Sequence, residues 1–282
     1  MKLRAPLLLV FTLVALYFSA ATYVLHFEIG RILFPYVAAS GSSAEHITHR
    51  VSGRSGNVML VRRYGAAQVG CVVFFPGQHG GLSAYEKTLF PSYVANGIAV
   101  FALAYPGQDG APGRSELGEV QYLAQQALSV VGQTCPPRKT VFVGRSLGAM
   151  LAAYAAGVAH PAGLVLEAAA PSLSSAVIVH LRSRWYLSPI AQLPVSKLLS
   201  HDYALVEGLS PSPPFPVVVF QGTADEQTPI ESLRAPGALP PNSHLVVVTG
   251  GTHSNSYQLA IESYVQTALH MLEHERTPND KP

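Results

Sequence analysis

Six short runs constrain what this chain can fold into: CVVFFPG, GIAVFALAYPG, TVFVG, AGLVLEAAAP, PFPVVVFQG and HLVVVTGG. Each is rich in apolar residues, and each has Gly or Pro at or beside an end. Runs of this kind read as strands buried on both faces of a sheet. Between them lie segments of helical spacing. In SELGEVQYLAQQALSVV the apolar positions are Leu117, Val120, Leu123, Ala127 and Val131, with Ser115 placed to cap the helix. LSAYEKTLFPSYVANG is a second helix, with Pro91 as its expected interruption, and SLGAMLAAYAAG and SNSYQLAIESYVQTALHMLEHE are two more. Alternating strands and helices predict an α/β fold with a mostly parallel central sheet and helices on both faces. EHITHRVS and NVMLVRRYG, joined by GRSG, add a hairpin and make the sheet mixed.

The 282 residues are 49% hydrophobic and only 12% charged, against about 25% charged in an average chain. Part of the excess is N-terminal. Ala5 to Leu25 carries no charge, and about 20 residues at about 1.5 Å each match a bilayer core of about 30 Å. Residues 1–30 are therefore read as a signal anchor or transmembrane segment. With Lys2 and Arg4 ahead of it, the rest of the chain should lie on the extracytoplasmic, periplasmic side. The rival reading is secretion after cleavage near Ser19-Ala20-Ala21. The net charge of +2 and the lack of a basic run give no sign of a nucleic-acid partner. The polar end from His274 reads as a frayed tail, and Gly208 to Pro216 as a stiff loop.

In open α/β sheets the reactive groups gather at the carboxyl ends of the strands. TVFVG is followed directly by Arg145-Ser146-Leu147-Gly148 and then a helix. A serine on such a sharp strand-to-helix bend presents its hydroxyl above the sheet, beside the N–H groups of a helix N-terminus. It needs a base, and the base an orienting acid. Of the eleven histidines, His253 follows a strand and precedes a helix. Among the aspartates Asp109, Asp202, Asp225 and Asp280, Asp225 stands shortly after VVVFQG; Glu167, near the end of AGLVLEA, is the rival acid. Ser146, Asp225 and His253 fall in the order of a Ser-Asp-His triad. Backbone N–H groups of Leu147 and Gln78 would form the oxyanion hole. Ser115, in PGRSE, is the decoy serine.

The segments FFPGQHGGLS, AYPGQDGAPGRSE, VGRSLGAM, QGTADEQTP and GGTHSNSY resemble the α/β-hydrolase family, and within it the membrane-anchored serine hydrolases of the abhydrolase-domain type. The resemblance implies the α/β-hydrolase fold over residues 45–275, with a short cap at 172–209. It implies Ser146 as nucleophile, His253 as base, Asp225 as acid, and Gln78 and Leu147 as oxyanion donors. Two positions depart from the family pattern. Pro76-Gly77 stands where members often have His-Gly, and Ala149 where many have a second glycine. In the cap, Leu173, Val177, Ile178, Leu181 and Trp185 have helical spacing, expected to pack on the sheet rather than to clamp a substrate. In the implied sheet the strand opened by Cys71 and the strand after Cys135 are parallel neighbours. The two cysteines then either form a disulfide or remain a buried small hydrophobe and a loop thiol.

The expected activity is serine hydrolysis of an acyl ester, of carboxylesterase, lipase or thioesterase type, with no cofactor and no metal. The partners expected are a small or lipid-like acyl substrate and the membrane. An aminopeptidase or amidase on the same fold, with Glu226 or Glu167 as anchor for an amine, is the alternative; a non-catalytic membrane-tethered binding module is another.

Overall fold

The computed structural model describes residues 4–39, 44–79, 81–209 and 212–274. The tail after His274, Asp280 included, and part of the proline-rich loop lie outside the described residues. The chain opens with α1 (Arg4–Tyr23), widens into a π turn over Val24–Glu28, and continues as α2 (Ile29–Leu33). A hairpin of β1 (Ile47–Ser52) and β2 (Val58–Tyr64) follows. Then come β3 (Gly70–Phe75), α3 (Ser83–Glu86), α4 (Leu89–Ala95) and β4 (Ile98–Ala104). Next are α5 (Leu117–Gly132), β5 (Thr140–Arg145), α6 (Leu147–Ala159) and β6 (Gly163–Glu167). The span before the next strand holds α7 (Leu173–Arg182), a 3-10 turn over Ser188–Gln192, α8 (Val195–Leu198) and α9 (Leu205–Leu209). The chain ends with β7 (Val217–Gly222), α10 (Ile230–Arg234), β8 (Ser243–Val248), α11 (Ser256–Leu259) and α12 (Ile261–His274).

One eight-stranded sheet has the order β1-β2-β4-β3-β5-β6-β7-β8. The pairings of β2 with β1 and with β4 are antiparallel, and every other pairing is parallel. The apolar runs explain the order. β3, β4 and β6 are buried along their whole length, so they need cover on both faces and sit inside the sheet. β1, largely exposed, takes an edge. Alternate residues of β3 enter opposite cores: Cys71, Val73 and Phe75 pack with α5 and α6, Val72 and Phe74 with α4 and α12.

Helix ends depart from the sequence reading in four places. The second expected helix breaks at Lys87-Thr88, ahead of Pro91, which sits in the first turn of α4 where no N–H is needed. The last helix is split at Ala260. Glu116, not Ser115, is the N-cap of α5; the buried Ser115 Oγ donates to Pro106 O at 2.8 Å instead. Leu173, Val177 and Leu181 pack as expected, but Trp185 lies past the end of α7 and is exposed.

Cys71 and Cys135 are joined by a disulfide, with Cα atoms 6.1 Å apart. Cys71 pairs in register with Thr140 at the amino ends of β3 and β5, the end of the sheet away from Ser146. A bridge of this loop length contributes about 2–4 kcal/mol.

Candidate active site

Ser146 is the single residue between β5 and α6, with φ 52° and ψ −120°. That backbone region costs a non-glycine residue about 1–3 kcal/mol and is kept only where surroundings enforce it. Here they do. Ser146 N donates to Glu167 O at 2.8 Å. A Cβ on Gly144 would stand 2.6 Å from Gly148 O, and one on Gly148 only 2.1 Å from Phe75 O. The glycines of the motif are therefore there for close approach, and α6 begins pressed against the end of β3.

The structure brings three residues from three strand ends together. Ser146 Oγ lies 2.9 Å from His253 Nε2, and His253 Nδ1 lies 3.0 and 3.1 Å from the two Asp225 oxygens. The tautomer that satisfies both contacts carries its proton on Nδ1, donates to Asp225, and accepts the serine hydroxyl at Nε2. Asp225 also accepts from Thr228 N at 2.9 Å, Gln227 N at 3.0 Å, Thr228 Oγ1 at 2.8 Å and Gln221 Nε2 at 3.1 Å. Burial opposes its charge, but the hydrogen bonds from His253 and Thr228 outweigh burial and hold the carboxyl below its usual range.

The rival acids are used elsewhere. Asp109 pairs with Arg62 at 2.7 Å, and Asp202 caps α7 by accepting from the N–H and hydroxyl of Ser174. Glu167 pairs with Arg145 Nε at 3.2 Å and accepts from Tyr257 N at 2.9 Å. Burial pushes its pKa up to about 7, against the opposing pull of Arg145.

Arg145 was not singled out by the sequence, since the motif leaves that position free. Its guanidinium donates to Tyr85 Oη at 3.0 Å and to the carbonyl of His253. It thereby ties the His253 loop to the Glu167 strand end. Tyr85, Gln221 and Thr228 were missed as well. The only available signal was Thr228, three residues after Asp225, the spacing at which an Asp side chain accepts from a following backbone N–H.

The Gln78 loop is held from three directions. Tyr105 Oη donates to Pro76 O at 3.1 Å, Gln108 Nε2 to Gln78 O at 2.7 Å, and Gln78 Nε2 to Ile32 O at 2.9 Å. Tyr105 and Gln108 thus hold a loop that carries proline in place of the expected histidine. The backbone N–H groups of Gln78 and Leu147 make no hydrogen bond among the described residues. Leu147 is the first residue of α6, where an N–H has no intrahelical acceptor. A cavity of about 190 Å³ opens over Ser146, lined by Gly77, Gln78, His79, Tyr85, Arg145, Gln227, His253 and Ser254 among others. Among the described residues no three His, Cys, Asp or Glu side chains converge as metal ligands.

Residues 72–278 match the model of the alpha/beta hydrolase family. The uncharacterized proteins Rv2307c and MT2364, from two strains of Mycobacterium tuberculosis, are 35% identical over 166 residues, covering 56% of this chain and 54% of each relative. The chain thus matches about half the length of these curated relatives. The solved esterase Pf2001 of Pyrococcus furiosus superposes with a TM-score of 0.66 at 15% identity, over 86% of this chain and 97% of that one. The thioesterase domain from the curacin biosynthetic pathway gives 0.56 at 16%, over 80% and 99%. At such identities these structures speak for the fold. The family match, over more than half of the residues, shows that the chain belongs to the alpha/beta hydrolase family.

Proposed function

We propose that the protein is a serine hydrolase that cleaves an acyl ester. The observation that carries this reading is the hydrogen-bonded series Ser146–His253–Asp225 on the strand-to-helix bend. Ser146 Oγ attacks the acyl carbonyl while His253 Nε2 takes its proton. Asp225 keeps the imidazole in place and stabilises its protonated form. The N–H groups of Leu147 and Gln78 receive the oxyanion. His253 then returns the proton to the leaving alcohol, and a water activated by the same nitrogen frees the acyl group.

An aminopeptidase needs an acidic anchor for the substrate amine, and the two candidates supply little support. Glu167 is buried and paired with Arg145, and Glu226 is exposed and does not line the cavity. The cavity is below the range of about 300–1,000 Å³ typical of drug-sized ligands, which favours a small acyl group. Residues 45–275 are taken as the catalytic unit with 172–209 as its cap.

Residues 1–30 are taken as a retained anchor. Pro6–Leu33 is long and apolar enough to cross a membrane. Tyr17, Ala21, Leu25 and Ile29 pack on the rest of the protein, and cleavage near Ser19-Ala20-Ala21 would remove the first of these contacts. Lys2 and Arg4 ahead of the span favour a catalytic unit outside the cytoplasm, where a bridge such as Cys71–Cys135 is at home.

The test is labelling with a fluorophosphonate, with p-nitrophenyl ester turnover measured alongside. Ser146→Ala should abolish the label and cut turnover by about 10⁴-fold or more. Label persisting on the variant would move the nucleophile elsewhere.

A further inference from the structure

The N-terminal helix is free of the rest of the protein over too short a length to cross a bilayer alone. Residues 6–16 are all exposed, and 11 residues rise only about 16 Å, roughly half of a hydrocarbon core of about 30 Å. From Tyr17 onward one face of the helix is engaged. Tyr17, Ala21, Leu25 and Ile29 recur at a spacing of four and join the hydrophobic core. Tyr17 Oη donates to Tyr186 O at 2.5 Å, and His26 Nδ1 lies 2.9 Å from Leu198 O. A span beginning at Pro6 reaches the far hydrocarbon boundary about 20 residues on, near Leu25, and any tilt moves that point later. Tyr17 lies eight residues short of it, at a depth of about 12 Å. The segment that meets Tyr17 lies within a tyrosine side chain's reach of that depth, on the hydrocarbon side of the boundary.

That segment has the chemistry for it. Trp185, the chain's only tryptophan, is 87% exposed, and Tyr186 beside it is 49% exposed. Arg182 and Arg184 precede them, both exposed. Aromatic rings with neighbouring arginines, whose long stems let the charge reach the phosphates, are the usual side chains of a membrane interface. At the same level an apolar groove of about 530 Å³ runs between the helix and α8, lined by Phe18, Thr22, Tyr23, Phe27 and Leu198 among others. By contrast, the helix meets the Gln78 loop at Ile32, seven residues beyond Leu25 and so about 10 Å outside the hydrocarbon. The Ser146 cavity thus stays outside the hydrocarbon, within reach of water.

We propose that the Arg182–Tyr186 segment is immersed in the outer leaflet of the membrane that α1 enters, so that the protein sits partly sunk in the bilayer rather than tethered above it. This rests on the reading of α1 as a membrane helix and not on the hydrolase chemistry. The occupant of this surface is lipid, because the helix that carries the segment is itself the membrane element.

The single tryptophan supplies the probe. The full chain is reconstituted into phosphatidylcholine–phosphatidylglycerol vesicles, with either ordinary or dibrominated acyl chains, and vesicle flotation is scored first. Trp185 should emit to the blue of a tryptophan in water, lose most of its intensity in the brominated vesicles, and resist iodide present on both sides. A Trp185→Phe, Val158→Trp variant moves the probe to an exposed position on α6, about 18 Å of helix from Ser146, and should show the reverse pattern. If the chain floats with the vesicles while Trp185 is quenched by iodide and not by bromine, the immersion is overturned and the anchor stands. A chain that does not float overturns both. Loss of esterase activity with quenching retained would sink the hydrolase reading alone.

Discussion

The ends of β6 and β7 carry two carboxylates that differ in ionisation although they are equally hidden. Glu167 is 2% exposed and Asp225 is 4% exposed. Burial pushes Glu167 up to about 7, whereas Asp225 is held below the usual carboxylate range despite burial. What separates them is the number of hydrogen-bond donors. Asp225 accepts from His253, from two backbone N–H groups and from the side chains of Thr228 and Gln221. Glu167 has one backbone N–H and the Arg145 guanidinium, which is shared with Tyr85 and the His253 carbonyl. Hydrogen bonds to the charged form thus keep Asp225 ionised beside the histidine, while burial, with fewer donors to oppose it, raises Glu167.

The largest test of that contrast is Asp225→Asn. An amide in this position turns a donor toward His253 Nδ1 and favours the tautomer whose Nε2 cannot accept the serine proton. Turnover should fall by about 10⁴-fold, as such an exchange does in other serine hydrolase triads. Circular dichroism should stay unchanged. If Glu167→Gln costs more activity than Asp225→Asn, the roles given to the two strand ends are reversed.

Glu167→Gln should cost far less. Gln keeps an acceptor for Tyr257 N–H, and Arg145 keeps Tyr85 and the His253 carbonyl. What is lost is the ionic part of the hold on Arg145, and through Arg145 the position of the His253 loop. Turnover should fall by about tenfold or less, roughly the cost of one imperfect hydrogen bond at about 0.5–1.5 kcal/mol. Fluorophosphonate labelling should survive. A loss as large as that of Asp225→Asn, measured on the same ester, would make Glu167 part of the proton path and erase the distinction.

The same contrast explains what was legible in the sequence. Strand positions and the three converging residues could be read because apolar runs locate strand ends, and only Gly fits at positions 144 and 148. Arg145 and Tyr85 could not, because neither has a local signature: Arg145 meets Glu167 only once β5 and β6 pair in register, and Tyr85 reaches Arg145 from α3. Ser115 misled for a related reason. A serine ahead of a helix reads as a cap, but a buried carbonyl of Pro106 competes for its hydroxyl. Trp185 has the spacing of the buried stripe of α7, yet the helix stops at Arg182 and leaves it outside. Sequence periodicity carries no information about where a helix meets its tertiary limit.

The last test is the dependence of stability on pH, and it separates the two carboxylates by sign. The Asp225 pKa is lowered in the fold, so its contribution is present above its ordinary value of 3.8 and is lost as pH falls through the folded value. The Glu167 pKa is raised from 4.5 to about 7, so the folded state holds its proton where the unfolded state has released it. Its contribution is complete below 4.5 and is lost as pH rises toward 7. Between those values the unfolded state binds fewer protons at this site, and the slope of unfolding free energy with pH is negative. Urea unfolding of the wild type and of Glu167→Gln, in one detergent at a series of pH values, isolates this term by difference. Wild-type stability relative to the variant should decline from pH 4.5 to about 7 and then level off. Parallel curves across that window would mean that Glu167 is ionised in the fold, with Arg145 compensating its burial. The two strand ends would then differ in position and not in charge.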